Sequence, residues 1–258
     1  MKRFGLIGHQ ISYSKSPNIH SFMSKQLNIE FTYDLLDISQ SNLDMLIKQL
    51  KNGLYDGYNV TKPYKEVIMN YMDELTDEAR RIGAVNTVYV KHNKIVGDNT
   101  DYQGFKGLIK KNKIKVKDKR IYILGTGGAA KAAYHVLKDL EAIPKFVTRD
   151  ALKVNQETIM YKDIDLKDVD IYVQATPVGT YPYHKQSIID KTLVKNKYVI
   201  DLVYRPVQTK ILTYAKNGVN GVDMLMIQAL ESLSIWLDQE IKLTPTLYKK
   251  LKDVIINE

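Results

Sequence analysis

A glycine turn set between a strand and a helix constrains the fold of this chain more than any other feature. Ile121–Leu124 is a short apolar run with the length and composition of a buried strand. It leads into Gly125-Thr126-Gly127-Gly128-Ala129-Ala130, and a helical pattern continues to about Leu140. A G-x-G-x-x-A pattern gains weight from that setting. The first glycine permits a tight turn, and the second lets backbone approach a pyrophosphate at the helix N-terminus. A purely structural glycine turn is the competing reading. Further strands at Lys145–Thr148, Ile171–Gln174 and Tyr198–Val203, with a helical stretch at Gly221–Leu237, make a parallel βαβ series. Trp236 and its apolar neighbours read as core.

The first hundred residues carry a second α/β pattern. Strands are expected at Arg3–Gly8, Phe31–Asp37 and Tyr55–Val60, and helices at Pro17–Leu27, Ser41–Leu50 and Glu66–Leu75. In Ser41–Leu50 the apolar residues Leu43, Leu46, Ile47 and Leu50 follow a helical period. Thr87–Val90 and Lys94–Val96 form a hairpin around His92-Asn93. The boundary between the halves is placed near Asp101–Gly104.

Polar loops punctuate this first half. Asn59-Val60-Thr61-Lys62-Pro63-Tyr64-Lys65 ends a strand and concentrates hydrogen-bonding groups, stiffened by a proline. Gly83-Ala84-Val85-Asn86-Thr87 and Asn99-Thr100-Asp101 follow. A lysine beside a bound anion can exchange a proton with a substrate oxygen. Lys65 is the candidate, and Asp101 on the neighbouring polar loop is its best partner. Taken singly, each also fits a plainer role, Lys65 as a solvated charge and Asp101 as a helix cap. The hydroxyls of Ser14 and Ser16 precede Pro17 at a helix start, where spacing alone makes them caps. A small polar substrate in the first half and a nucleotide in the second point to a two-site enzyme.

Composition narrows the classes. The chain has 258 residues, of which 44% are hydrophobic, enough for a core and too many for disorder. No apolar run spans a membrane, and the N-terminus lacks the apolar stretch of a signal peptide. A cytoplasmic protein is expected. The absence of cysteine excludes disulfides, thiolate zinc sites and a cysteine nucleophile. The histidines, His9 and His20 among them, lack metal-ligand spacing, so no metal is expected. The net charge of +9 is spread along the chain, and its densest run, Lys110–Lys117, reads as a solvated inter-element loop. Nucleic acid is not the expected partner; the positive field suits an anionic substrate and a phosphorylated cofactor. At the end of the strand after the glycine turn stand Val147-Thr148-Arg149-Asp150, with Lys153 close by. Arginine there suits a 2′-phosphate, by charge and by bidentate geometry. The alternative is a surface Arg149, with Asp150 on a ribose hydroxyl.

Together these segments resemble the shikimate dehydrogenase family. In order they are Ser14-x-Ser16-Pro17 with His20, Asn59-Val60-Thr61-x-Pro63-x-Lys65, Gly83–Thr87, Asn99–Asp101 and the Gly125–Ala130 turn. Ala175-Thr176-Pro177-x-Gly179, Asp201-Leu202-Val203-Tyr204-x-Pro206 and Met224-Leu225-x-x-Gln228-Ala229 complete the series. The resemblance implies an α/β chain of two domains, an N-terminal α/β substrate domain and a Rossmann-type dinucleotide-binding domain. Residues 1–101, with a C-terminal segment at about 238–258, would form the first and residues 102–237 the second. It implies reversible, NADPH-dependent reduction of 3-dehydroshikimate to shikimate, on the route to aromatic amino acids, by a monomer or homodimer. Lys65 and Asp101 would be the catalytic pair. Ser14 and Ser16 would hold the substrate carboxylate, Asn59, Thr61, Asn86, Asp101 and Gln228 its ring hydroxyls, and Tyr204 would lie near the carboxylate or the cleft. NADP would be held by Gly125, Thr126, Gly127, Gly128, Ala129, Thr148, Arg149, Lys153 and Thr176, with Gly221 and Met224 beside the nicotinamide. The family's usual asparagine before Ala-Thr-Pro is Gln174 here. The rival readings are an NAD-dependent quinate/shikimate enzyme and a non-catalytic NADP-binding regulator.

Overall fold

The structure is a computed structural model that describes residues 1–257, and of Asn257 the backbone only. Glu258, the last residue of the expected C-terminal segment, lies outside the described residues. The strands are β1 Lys2–Gly8, β2 Phe31–Asp37, β3 Gly57–Val60, β4 Glu74–Leu75, β5 Thr87–Lys91, β6 Lys94–Asp98, β7 Arg120–Leu124, β8 Ile143–Thr148, β9 Thr158–Met160, β10 Ile171–Gln174, β11 Tyr198–Asp201 and β12 Asn217–Val219. The α-helices are α1 Ser16–Leu27, α2 Leu43–Lys51, α3 Asp77–Ile82, α4 Asp101–Lys111, α5 Gly128–Asp139, α6 Lys191–Val194, α7 Lys210–Tyr214, α8 Val222–Leu237 and α9 Pro245–Asn257. No helix among the described residues is long and apolar enough to cross a membrane.

By internal contacts the chain divides into two units, Met1–Gln103 with Met226–Glu258, and Gly104–Leu225. The first unit has a mixed sheet in the order β2-β1-β3-β5-β6-β4. Strands β2, β1 and β3 run parallel, and β5 turns antiparallel to β3. β5 and β6 form the expected hairpin, with His92 and Asn93 at φ 49° and 59°. Two residues of positive φ make the tight turn that matches strand twist. α2 buries Leu43, Leu46, Ile47 and Leu50, the stripe its sequence spells out.

The second unit has a sheet in the order β12-β11-β10-β7-β8-β9, parallel throughout. Read from β9, the sequence order runs third, second, first, fourth, fifth, sixth, the doubly wound Rossmann arrangement. The first strand, β7, is the one that enters the glycine turn.

Several elements depart from the sequence expectation. Glu66–Leu75 is not one helix; a 3-10 stretch, Val67–Tyr71, gives way to edge strand β4. Sheet pairing overrides local periodicity there, since Asp73 N donates to the Ile95 carbonyl at 2.9 Å and Asp73 Oδ2 accepts from Ile95 N at 2.7 Å. Lys110 and Lys111 close helix α4 instead of lying in a loop. The N-cap of α1 is Lys15, with no side-chain cap, so neither serine takes that place. Residues 226–237, expected with the second unit, pack with the first. Trp236 holds them there. It stacks on Phe4 with ring centroids 4.5 Å apart and donates to the Val88 carbonyl at 3.3 Å. A Cβ at Gly57 would stand 2.3 Å from Trp236 Nε1, so only glycine lets the indole lie against β3.

Candidate active site

In the first unit the three polar loops meet. The Asn59–Lys65 loop leaves β3, where Thr61 N donates to the Ile7 carbonyl at 2.8 Å and the buried Tyr64 donates its hydroxyl to the Ile38 carbonyl at 2.7 Å. The loop after α3 is tied to it by Val85 N donating to the Lys65 carbonyl at 2.7 Å. The third loop is fixed by Asn99 Nδ2, which donates to the Ala84 carbonyl at 2.8 Å. Lys65 and Asp101 are thereby brought together across 36 positions of sequence, with Nζ 2.5 Å from Oδ2.

The pair is well shielded, with the Lys65 side chain 17% exposed and the Asp101 side chain 7%. Asn86 Nδ2 donates to the other Asp101 oxygen at 3.0 Å. Asn86 Oδ1 accepts from Thr100 N at 2.7 Å and lies within reach of the Thr87 and Thr100 hydroxyls, at 3.1 and 3.2 Å. The carboxylate is thus oriented by an amide that is itself oriented, while Lys65 keeps N–H groups beyond the one given to Asp101.

Asn59 enters the site as a brace. Its Nδ2 donates to the Asn86 carbonyl at 3.2 Å, Thr87 Oγ1 at 3.2 Å and Ser232 Oγ at 2.9 Å, and its Oδ1 accepts from the Tyr33 hydroxyl at 2.8 Å. Its two amide hydrogens face three protein acceptors, while Oδ1, with two lone pairs, can accept from a hydroxyl besides Tyr33. Ser14 Oγ lies 3.2 Å from Ser16 Oγ and accepts from Ser16 N at 3.2 Å. The Tyr33 hydroxyl also meets Ser16, which links the serines to the brace. Behind Tyr33, His20 is fully buried and stacked at 3.9 Å, and burial pushes its imidazole down to about 3. His20 is therefore neutral and acts as packing. Gln228 sits half-buried on α8, in the first unit. Sequence reasoning gave no role to Tyr33, Thr87, Thr100 or Ser232. Thr87 and Thr100 lay inside quoted motifs, whereas nothing local marks Tyr33 or Ser232.

In the second unit Gly125 has φ +110°, a conformation L side chains rarely adopt, and Gly127 is the N-cap of α5 with no side-chain cap. A Cβ at Gly127 would meet nothing within 4 Å, so open space faces the helix N-terminus where a pyrophosphate is bound in this fold. Arg149 and Lys153 are exposed, and Lys153 Nζ reaches Thr126 Oγ1 at 3.4 Å across the turn. The Arg149 guanidinium lies 5.8 Å from the centre of the Tyr161 ring. Asp150 Oδ1 accepts from Leu152 N at 3.0 Å and caps a 3-10 turn. Thr148 is buried and accepts from Asp150 N at 3.1 Å. Gln174 fixes the Thr176 loop: its Oε1 accepts from Thr176 N and Oγ1, both at 2.8 Å, and its Nε2 donates to the carbonyls of Thr176 and Val178. Gly221 N donates to the Val203 carbonyl at 3.0 Å, Met224 is buried, and Tyr204 is half-buried, all in the second unit. The residues present fit NADP, with an open glycine turn and two cations placed after β8.

A Rossmann unit joined to an α/β unit with a shielded lysine–aspartate pair defines the class of two-domain, dinucleotide-dependent oxidoreductases. Residues 6–88 match the substrate-binding domain model of shikimate dehydrogenase. A shikimate dehydrogenase (NADP(+)) from Clostridium beijerinckii is 37% identical over 270 aligned residues, covering 100% of this chain and 99% of the relative. A crystal structure of shikimate dehydrogenase 1 from Peptoclostridium difficile superposes with TM-score 0.91 at 38% identity, covering 99% of this chain and 100% of that one. That of shikimate 5-dehydrogenase from Thermus thermophilus, in complex with NADP(H) and shikimate, gives TM-score 0.86 at 29% identity over 99% and 100% of the two chains. The chain belongs to the shikimate dehydrogenase family.

Proposed function

We propose that this protein catalyses the reversible, NADPH-dependent reduction of 3-dehydroshikimate to shikimate on the route to aromatic amino acids, in the cytoplasm. The observation that carries the reading is the shielded Lys65–Asp101 pair braced by Asn86. The unit of residues 1–103 and 226–258 takes the substrate, and the unit of residues 104–225 takes NADP. Ser14 and Ser16 hold the substrate carboxylate, with Tyr204 near it. Asn59, Thr61, Asn86, Asp101 and Gln228 hold the ring hydroxyls.

Bound NADPH supplies the hydride. Lys65 gives a proton from Nζ to the carbonyl oxygen as that oxygen gains charge, and regains it from water. Asp101 holds the ammonium in place and, oriented by Asn86, does not turn away during the transfer. In the reverse direction the Lys65 amine takes the proton of the hydroxyl. Arg149 and Lys153 bind the 2′-phosphate, and the backbone of Gly125, Thr126, Gly127, Gly128 and Ala129 binds the pyrophosphate. Thr148, Thr176, Gly221 and Met224 complete the cofactor contacts. The two exposed cations after β8, Arg149 and Lys153, favour NADP over NAD, because they suit the added 2′-phosphate. A lysine and an aspartate kept together out of water also argue against a non-catalytic regulator.

The test is turnover by the purified protein, followed by absorbance of the reduced nicotinamide. Shikimate and quinate are each offered with NADP and with NAD. Oxidation of shikimate with NADP as the preferred pair supports the reading. No turnover of shikimate with either cofactor overturns it, and preferred turnover of quinate with NAD selects the rival enzyme.

A further inference from the structure

Helix α8 carries two serines that bond back onto the helix. Ser232 Oγ donates to the Gln228 carbonyl at 3.0 Å, and Ser234 Oγ to the Leu230 carbonyl at 2.9 Å. Their other partners differ. Ser234 accepts from Ile241 N at 3.1 Å, a contact just beyond the helix's own C-terminus. Ser232 is fully buried and meets Asn59 Nδ2 at 2.9 Å, Thr87 Oγ1 at 2.9 Å and Thr100 Oγ1 at 3.1 Å. Those three groups come from β3, from the start of β5 and from the loop before α4.

The protons of this cluster can be assigned without a clash. The single Ser232 proton goes to the Gln228 carbonyl, which leaves the oxygen to accept. Asn59 supplies one donor to it. Of the two threonine hydroxyls, both also within reach of Asn86 Oδ1, one donates to Ser232 and the other to Asn86. Every donor is then satisfied, and a satisfied buried network fixes one arrangement of its members.

The geometry points to Ser232 as a positioning residue for the substrate site. It sets the register of α8 against the strands beneath Lys65 and Asp101. It thereby holds Gln228, one turn earlier on the helix, and Asn86, one threonine away, where they meet ring hydroxyls. This rests on the function proposed above, in which Gln228 and Asn86 are substrate contacts.

The experiment compares the full-length wild type with Ser232→Ala and Ser234→Ala. For each, the KM for shikimate, the KM for NADP, kcat and the melting temperature are measured. Each variant loses one back-bond, Ser232→Ala two accepted bonds besides and Ser234→Ala one, so both lower the melting temperature. Ser232→Ala raises the shikimate KM about three- to tenfold, the scale of one net hydrogen bond, and leaves the NADP KM unchanged. Ser234→Ala leaves both KM values unchanged. Should Ser232→Ala not fold, Ser232→Cys, which keeps the volume with a weaker donor and acceptor, replaces it with the same expected direction. An active wild type whose shikimate KM responds alike to both variants, or a rise shared equally with the NADP KM, overturns the inference alone. A wild type that does not oxidise shikimate overturns the functional reading and this inference with it.

Discussion

The two units hold their polar groups in opposite ways. In the first, the chemistry rests on side chains locked by other side chains: Asn59, Asn86, Thr100 and Asp101 are all buried, and each is bonded to another residue of the site. In the second, the proposed cofactor contacts are a backbone turn facing open space and two exposed cations, Arg149 and Lys153. A transferred proton needs its donor fixed to within a fraction of an ångström, so the donor's neighbours are fixed too. A phosphate needs charge and N–H groups, which exposed cations and a helix N-terminus supply without a shell of support. Substitutions in the first unit should therefore act on rate and substrate binding, and those in the second on cofactor affinity.

The sharpest way to break this contrast is Lys65→Ala. Loss of a positioned acid/base lowers kcat by roughly 10²–10⁴-fold, with the shikimate KM little changed. Steady-state kinetics decide it, and near-normal turnover removes Lys65 from the proton transfer. Next in size is Arg149→Ala, which weakens NADP binding by about 1.5–3 kcal/mol and leaves NAD alone. Titration calorimetry with each cofactor reads this, and equal losses for both show that Arg149 does not bind the phosphate.

Asp201 tests whether buried carboxylates of the second unit obey the same logic as Asp101. It is fully buried, accepts from Val203 N at 3.0 Å and from the Thr209 hydroxyl, and burial pushes its carboxyl up to about 7. The folded state then binds this proton more tightly than the unfolded chain, whose value is near the ordinary aspartate range of about 4. Stability therefore falls as pH rises from about 4 to 7, and the penalty is complete above that window. Asp201→Asn should flatten the decline in denaturant midpoints measured across that range. A wild type and variant with parallel profiles would show that Asp201 is not the group responsible. The smallest effect is expected from Ser14→Ala, which raises the shikimate KM with little change in melting temperature, because Ser14 lies outside α1 and its bond to the helix, from Ser16 N, is a long 3.2 Å. Ser16→Ala should alter both. A lower melting temperature with an unchanged KM in Ser14→Ala would return Ser14 to a structural role.

Much of this was legible before any coordinates. The α2 stripe and β10 at Ile171–Gln174 lie where the sequence places them, since their periodicity or apolar run is unbroken. Short elements such as β4, β9, α6 and α7 are held by neighbours and carry no period to read. α3 did leave a signal that was passed over: Thr76 accepts from Ala79 N as its N-cap, and Gly83 ends it at φ +69°. Site residues inside loop motifs could be found one by one. Ser232 could not, because it lies 173 positions from Asn59 and 145 from Thr87, and only the folded chain makes them neighbours. That the boundary cuts α8 after Leu225 and leaves most of the helix with the first unit was equally hidden, since its apolar residues do not say which sheet they will cover.

The discontinuity of the first unit has a consequence for biosynthesis. A chain made from its N-terminus completes residues 104–225 before Ser232 and Trp236 emerge from the ribosome. The inserted unit can close while the sheet around β1 and β3 still lacks its indole cover and the hydroxyl beneath Asn59. The Rossmann unit is one continuous stretch of chain, whereas the first unit must wait for residues made after it.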